Sequence, residues 1–277
     1  MKKIFGVICT VMLLMTACVT KQDNKKQENQ DDFIWAIDKV SVDMYAPVGE
    51  QRGFNVHFAY REGKENISLL ELIGENIDAI EVSVIDDTFE SLNKIEIDGY
   101  KLGYLGIIFK LKENSEVIIN EMKINIDSKI ETIVFKNPLI IRPYENSEDI
   151  YELMSTDVVG GKKNALTYVV SNLEGATVID YGLVGSYIET ESRTYIDKVE
   201  MELNDRILNK DSQVKFSIEY EVADENVNSG MLGNFFFKYL NKEGNECIYY
   251  FTIVQQGVGN EENGIIALKE LLGIETE

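Results

Sequence analysis

Residues 215–222 read KFSIEYEV. On an extended chain Phe216, Ile218, Tyr220 and Val222 fall on one side, and Ser217, Glu219 and Glu221 fall on the other. A period of two with charge on the outer face is the mark of a strand packed on one side only, in an antiparallel sheet. Working outward, the same alternation recurs. Val40, Val42 and Met44 share a face, as do Phe54, Val56, Phe58 and Tyr60, with Asn55 and His57 opposite. Ile80, Val82 and Val84 alternate with Glu81 and Ser83, and Met122, Ile124 and Ile126 with Lys123, Asn125 and Asp127. Val199, Met201 and Leu203 alternate with Glu200 and Glu202. The runs FFFKYL (235–240) and CIYYFTI (247–253) flank NKEGNE (241–246), which predicts a hairpin with a loop of about six residues.

Helical signals are few. Residues 147–154 predict a short helix, with Ser147 as N-cap and Glu148 and Asp149 in its first turn. Residues 263–272 predict another, capped by Asn263, with Ile265, Leu268 and Leu272 on one stripe and Gly273 as the stop. Many strands and few helices predict an all-β chain of two antiparallel β-sandwich domains, immunoglobulin-like, with short accessory helices. The first domain is expected over 33–145 and the second, with the C-terminal helix, over 164–277. A linker with a short helix spans 146–163: Pro138 and Pro143 close the strands before it, and Gly160-Gly161-Lys162-Lys163 opens the segment after it.

The N-terminus has a different pattern. Lys2 and Lys3 precede an apolar run, residues 4–15, broken only by Gly6 and Thr10. That is the basic region and apolar region of a secretory signal, shorter than the ~20 residues a membrane-spanning helix needs. The run ends in Met15-Thr16-Ala17-Cys18. These four residues resemble the lipobox of bacterial lipoproteins, an apolar residue, two small residues and a cysteine, with Met15 in place of the usual leucine. The resemblance implies cleavage of a signal peptide at 1–17 and a diacylglyceryl thioether (palmitate-type acylation) on Cys18, which becomes the N-terminus. Sulfur is the nucleophile that accepts the lipid, and two acyl chains anchor stably where one does not. Residues 20–32 contain no large apolar side chain, so 18–32 is expected to be a flexible tether. The abundance of Lys, Ile, Asn and Glu over Pro, Arg and His suggests an AT-rich genome and a Gram-positive host.

Composition narrows the function. The 277 residues carry a net charge of −21, which disfavours nucleic acid and anionic head groups as partners. Hydrophobic content of 44%, with 14 Tyr and 12 Phe, is ample for a core. Of three cysteines, Cys9 leaves with the signal and Cys18 takes the lipid, so no internal disulfide forms. Cys247 lies in an apolar run and is expected to be a small buried hydrophobe.

A search for chemistry finds no complete constellation. His57 is the only histidine; it stands on the polar face of a strand, either facing solvent or part of a site. One histidine excludes HExxH and His-rich zinc sites, and a Ser-His-Asp triad lacks a G-x-S-x-G elbow. Ser91–Lys94 and Ser212–Lys215 match S-x-x-K without a K-T-G partner. Gly160–Lys163 lacks the phosphate-loop spacing. In the loop of Asp224, Asn226, Asn228 and Gly230 oxygen-bearing side chains alternate as in a calcium loop, but Gly230 is one place late and Phe235 stands where the bidentate glutamate belongs. A polar connection between strands is the plainer reading there. Acidic neighbours such as Asp86, Asp87 and Glu90 are common in a chain with 48 carboxylates and identify no glycosidase pair. Trp35 and the tyrosines are read as core, with a sugar-stacking platform as the alternative.

These observations assign no catalytic residue, no metal and no cofactor, and one modified residue, Cys18. The expected function is a membrane-anchored surface lipoprotein, a non-catalytic binding or structural module of the bacterial envelope. Its partner would be an envelope protein or a glycan. The alternatives are a carbohydrate- or small-ligand-capturing lipoprotein and an envelope hydrolase.

Overall fold

The alternating segments form strands. The computed structural model describes residues 33–37, 40–61, 66–86, 94–144, 152–155, 163–171, 175–185, 193–196, 199–200, 213–221, 230–255 and 261–275. All of these belong to Phe33–Glu277, which clusters as a unit apart from Met1–Asp32. Strand succeeds strand: β1 (Phe33–Trp35), β2 (Val40–Pro47), β3 (Gln51–Tyr60), β4 (Ile67–Glu75), β5 (Ile80–Asp86), β6 (Glu96–Ile97), β7 (Tyr100–Leu111), β8 (Val117–Ile126) and β9 (Lys129–Tyr144). There follow β10 (Glu152–Ser155), β11 (Lys163–Ser171), β12 (Thr177–Val184), β13 (Arg193–Ile196), β14 (Val199–Glu200), β15 (Gln213–Glu221), β16 (Gly230–Leu240) and β17 (Glu246–Gln255). Helix α1 (Glu261–Leu271) closes the series. The all-β expectation holds for the described residues.

The described strands form three sheets. One runs β1-β3-β7-β5, with β6 also on β7; a second runs β10-β11-β15-β13-β14. The third runs β12-β16-β2-β9-β8-β4, with β17 also on β16. The first and third face each other across a common core. Phe54, Val56 and Phe58 of β3 and Leu105, Ile107 and Phe109 of β7 meet Val42 and Met44 of β2 there. Met122, Ile124 and Ile126 of β8 and Leu139 and Ile141 of β9 complete the layer. Each alternation read from the sequence in this region points inward as expected, which is what fixes register when one face is buried.

The third sheet draws strands from both sides of residues 146–163. β16 has three partners: β17 along Met231–Leu240, β12 from Asn234 onward and β2 at Gly230, Met231 and Leu232. A strand has two edges, so β12 and β2 succeed each other along one of them. From Asp43 onward β2 pairs in parallel with β9 instead.

Several sequence expectations are corrected here. The first part of the helix expected at 147–154 lies outside the described residues, but Glu152, Leu153 and Met154 are in β10, paired with Val170, Val169 and Tyr168. Cross-strand pairing outweighs a weak local helix signal. Pro138 does not close a strand but lies within β9, whereas Pro143 stands one residue before the end of β9 at Tyr144. The ladder to β8 jumps from Glu121↔Val134 to Ile119↔Leu139, so Pro138 occupies a bulge where no ladder N–H is needed. The hairpin loop is Asn241–Asn245, five residues rather than six, closed by Asn241 N–H to Asn245 O at 2.9 Å. The Asn241 side chain accepts from Glu243 N–H (3.0 Å) and Asn245 N–H (2.9 Å).

Helix α1 begins two residues before the cap expected at Asn263, and its buried stripe is Gly264, Ala267 and Leu268. Ile265 is exposed instead. Its C-terminus is as expected: Gly273 has φ +67°, its N–H donates to Glu270 O and Ile274 N–H donates to Lys269 O. That pair of bonds is the Schellman stop. Cys247 is half-buried rather than buried, a free thiol opposite Tyr239 on β17.

Candidate functional site

His57 is not on a solvated face. It pairs with Tyr104 across β3 and β7, and both side chains are buried. The rings meet edge to face, with centroids 4.5 Å apart. Two residues on, Ala59 packs with Tyr100, Leu102 and Tyr104 beneath Ala267 and Leu268 of α1, with Leu271 and Leu272 at the margin. This part of the outer face of the first sheet is therefore covered, and alternation alone could not reveal the cover. Nε2 of His57 has no hydrogen-bond partner. Desolvation by burial lowers the imidazole to a pKa of about 4, and burial pushes the Tyr104 phenol up. With Nε2 unpartnered, the neutral imidazole shows no hydrogen bond there of the kind a catalytic triad uses.

Polar chemistry gathers instead where β2 leaves β16. Asn234, fully buried, accepts from Tyr45 N–H through Oδ1 at 2.6 Å and donates through Nδ2 to Tyr45 O at 3.0 Å. One side-chain amide thus satisfies both backbone groups of a residue that has lost its β16 ladder, as buried peptide groups require. The Tyr45 ring stacks on Tyr250 of β17 (4.2 Å, 14°), and Tyr144 of β9 meets Tyr250 edge-on at 5.1 Å. The Tyr144 hydroxyl donates to Tyr250 O at 3.1 Å. Arg142 pairs with Asp43 and with Glu116 (Nε to Oε2, 3.0 Å), and its guanidinium lies 5.6 Å from the Tyr45 ring centre. Burial, then Tyr45, pushes the Tyr250 phenol up. Arg52 of β3 reaches across to Thr252 Oγ1 of β17 at 3.0 Å.

This seam consumes its own chemistry. Tyr45 is stacked on one ring and lies near one cation, and Arg142 is held by two carboxylates. No signal in the sequence pointed to it, since Tyr45, Arg142 and Tyr250 are far apart in the chain and each looks ordinary locally. Trp35 joins the core, tilted against Phe58 at 4.6 Å. Among the described residues the exposed large apolar side chains are Val48, Leu70, Ile85, Ile130, Val134, Ile248 and Ile265, with no aromatic ring among them.

Other sequence candidates divide in two. Cys18, Ser91, Gly160, Gly161, Lys162, Ser212, Asp224, Asn226, Asn228, Asp87 and Glu90 lie outside the described residues. Lys94 is in a turn, Lys163 opens β11, Lys215 lies within β15, Gly230 opens β16 and Asp86 ends β5. Among the described residues no three His, Cys, Asp or Glu side chains converge to hold a metal ion, and no helix is long and apolar enough to cross a membrane.

No protein-family model matches the chain, and no curated protein matches it. Solved structures do. A chimeric titin Z1Z2 carrying a KLER peptide from decorin is 12% identical, covering 82% of this chain and 97% of its own, with a TM-score of 0.24. The major pilin subunit BcpA of Bacillus cereus is 14% identical over 78% of this chain and 63% of its own, with a TM-score of 0.23. The secreted serine protease VesC of Vibrio cholerae is 9% identical over 75% and 48%, with a TM-score of 0.21. Proteins this dissimilar from one another, superposed this loosely, assign neither a fold family nor an activity to the chain.

Proposed function

We propose that this chain is a lipid-anchored, non-catalytic binding or structural module on the outer side of a bacterial membrane. Residues 1–17 are the signal peptide, Cys18 carries the diacylglyceryl anchor and the polar residues up to Asp32 hold the β-structure clear of the head groups. The finer architecture of this reading is immunoglobulin-like. The observation that carries it is the apolar run 4–15 ending in Met15-Thr16-Ala17-Cys18, followed by a polar stretch up to Phe33, where β1 begins. The non-catalytic half is supported by the sole histidine being buried and neutral, and by the polar seam of Tyr45, Arg142 and Asn234 being internally paired.

The test is capture from envelope extracts by the full chain in detergent. A discrete protein retained at stoichiometric amounts is the expected result. Retention on purified cell-wall glycan would replace it with the ligand-capturing reading, and turnover of envelope polymer would overturn the non-catalytic assignment.

A further inference from the structure

The buried histidine has a consequence beyond anchoring. His57 stands on the same face of β3 as Ala59, its ring against Tyr104, and Ala59 and Tyr104 belong to one buried apolar cluster with Ala267 and Leu268 of α1. We infer that His57 makes the docking of helix α1 on β3 and β7 acid-sensitive, a proton on its imidazole loosening the helix from the sheet. The geometry supports this in three ways. The ring is buried, its Nε2 has no partner, and the α1 side chains that enter this layer are apolar, so among the described residues of that cluster no carboxylate compensates a positive charge.

The charged groups on the surrounding elements do not reverse the sign. Arg61, just past β3, already places a cation in this layer, 4.5 Å from the Tyr100 ring centre. β7 contributes Lys101 and the Tyr104 phenol, and β6 contributes exposed Glu96. On α1, Lys269 is half-buried while Glu261, Glu262 and Glu270 are exposed. β1 brings Phe33, Ile34 and Trp35, none of them charged. Among the described residues the apolar contact of α1 with the sheet runs through Ala267, Leu268 and Leu271, with Leu272 just past the helix.

The experiment is hydrogen–deuterium exchange of the full chain in detergent, following amides of residues 261–272 at several pH values and correcting for intrinsic exchange. With the imidazole at about 4 when covered and at its ordinary 6.5 when released, the opening equilibrium of α1 rises about 30-fold between pH 7.5 and pH 5. His57→Phe keeps an uncharged ring and flattens that rise; His57→Gln does the same should the Phe variant fail to fold. An equal rise in wild type and variant, or no rise in wild type, overturns the inference.

Discussion

Two single residues carry more of this fold than their chemistry suggests in the sequence. Asn234 substitutes for a missing strand, closing both peptide groups of Tyr45 at the point where β2 turns from β16 to β9. Asn234→Ala strands a buried donor and a buried acceptor, so unfolding in urea should show a loss of about 2–4 kcal/mol. Asn234→Asp keeps the acceptor but not the donor and should fall short of wild type as well. His57 adds a pH dependence with a definite sign. Its folded pKa lies below its unfolded one, so the unfolded chain takes up the proton first. Stability is full above about pH 6.5 and declines as pH falls toward 4, by about 3 kcal/mol from this group. Denaturation midpoints at pH 7.5 and pH 5 should separate less in His57→Phe than in wild type. The paired charges of Arg142, Asp43 and Glu116 are partly solvated, and Arg142→Met should cost no more than about 1 kcal/mol.

At the scale of elements, the edges are protected as sheet edges must be. β4 closes one end of the third sheet with Glu71 and Glu75 exposed, an ion pair from Glu71 to Lys123 at 2.6 Å, and ladder irregularities at Leu69/Glu71 and Ile73/Gly74. The second irregularity brings the backbones unusually close: a Cβ on Gly74 would sit 1.8 Å from Ile118 O. Gly74→Ala must therefore push β4 off β8, and thermal melts should register a loss of about 2 kcal/mol, with exchange rising in residues 67–75 first. Unchanged melting would show that this approach is not required. The elements also show where sequence reading works and where it stops. Val40 to Met44, Phe54 to Tyr60 and Met122 to Ile126 were legible because a period of two is local. Pro138 misled because its bulge depends on how β9 meets β8. The stripe of α1 was misphased because Ile265 and Ala267 compete on composition, and only the sheet beneath decides which is covered. His57 was misplaced for the same reason, since α1 lies some two hundred positions away in the chain.

On the scale of the whole molecule, the chain joins an acidic β-built body to an N-terminal segment of opposite character. A net charge of −21 favours solubility and repels an anionic membrane surface, so retention there requires something stronger than charge. In the proposed reading two acyl chains on the Cys18 sulfur would supply it, and Cys18→Ser should then move the chain out of the membrane fraction or leave an uncleaved precursor. The most direct test is intact-mass and peptide mass spectrometry of the protein purified from its host's membranes. The account predicts an N-terminal peptide that begins at Cys18 and carries diacylglyceryl on Sγ. A free thiol at position 18, or a chain that retains residues 1–17, would contradict it.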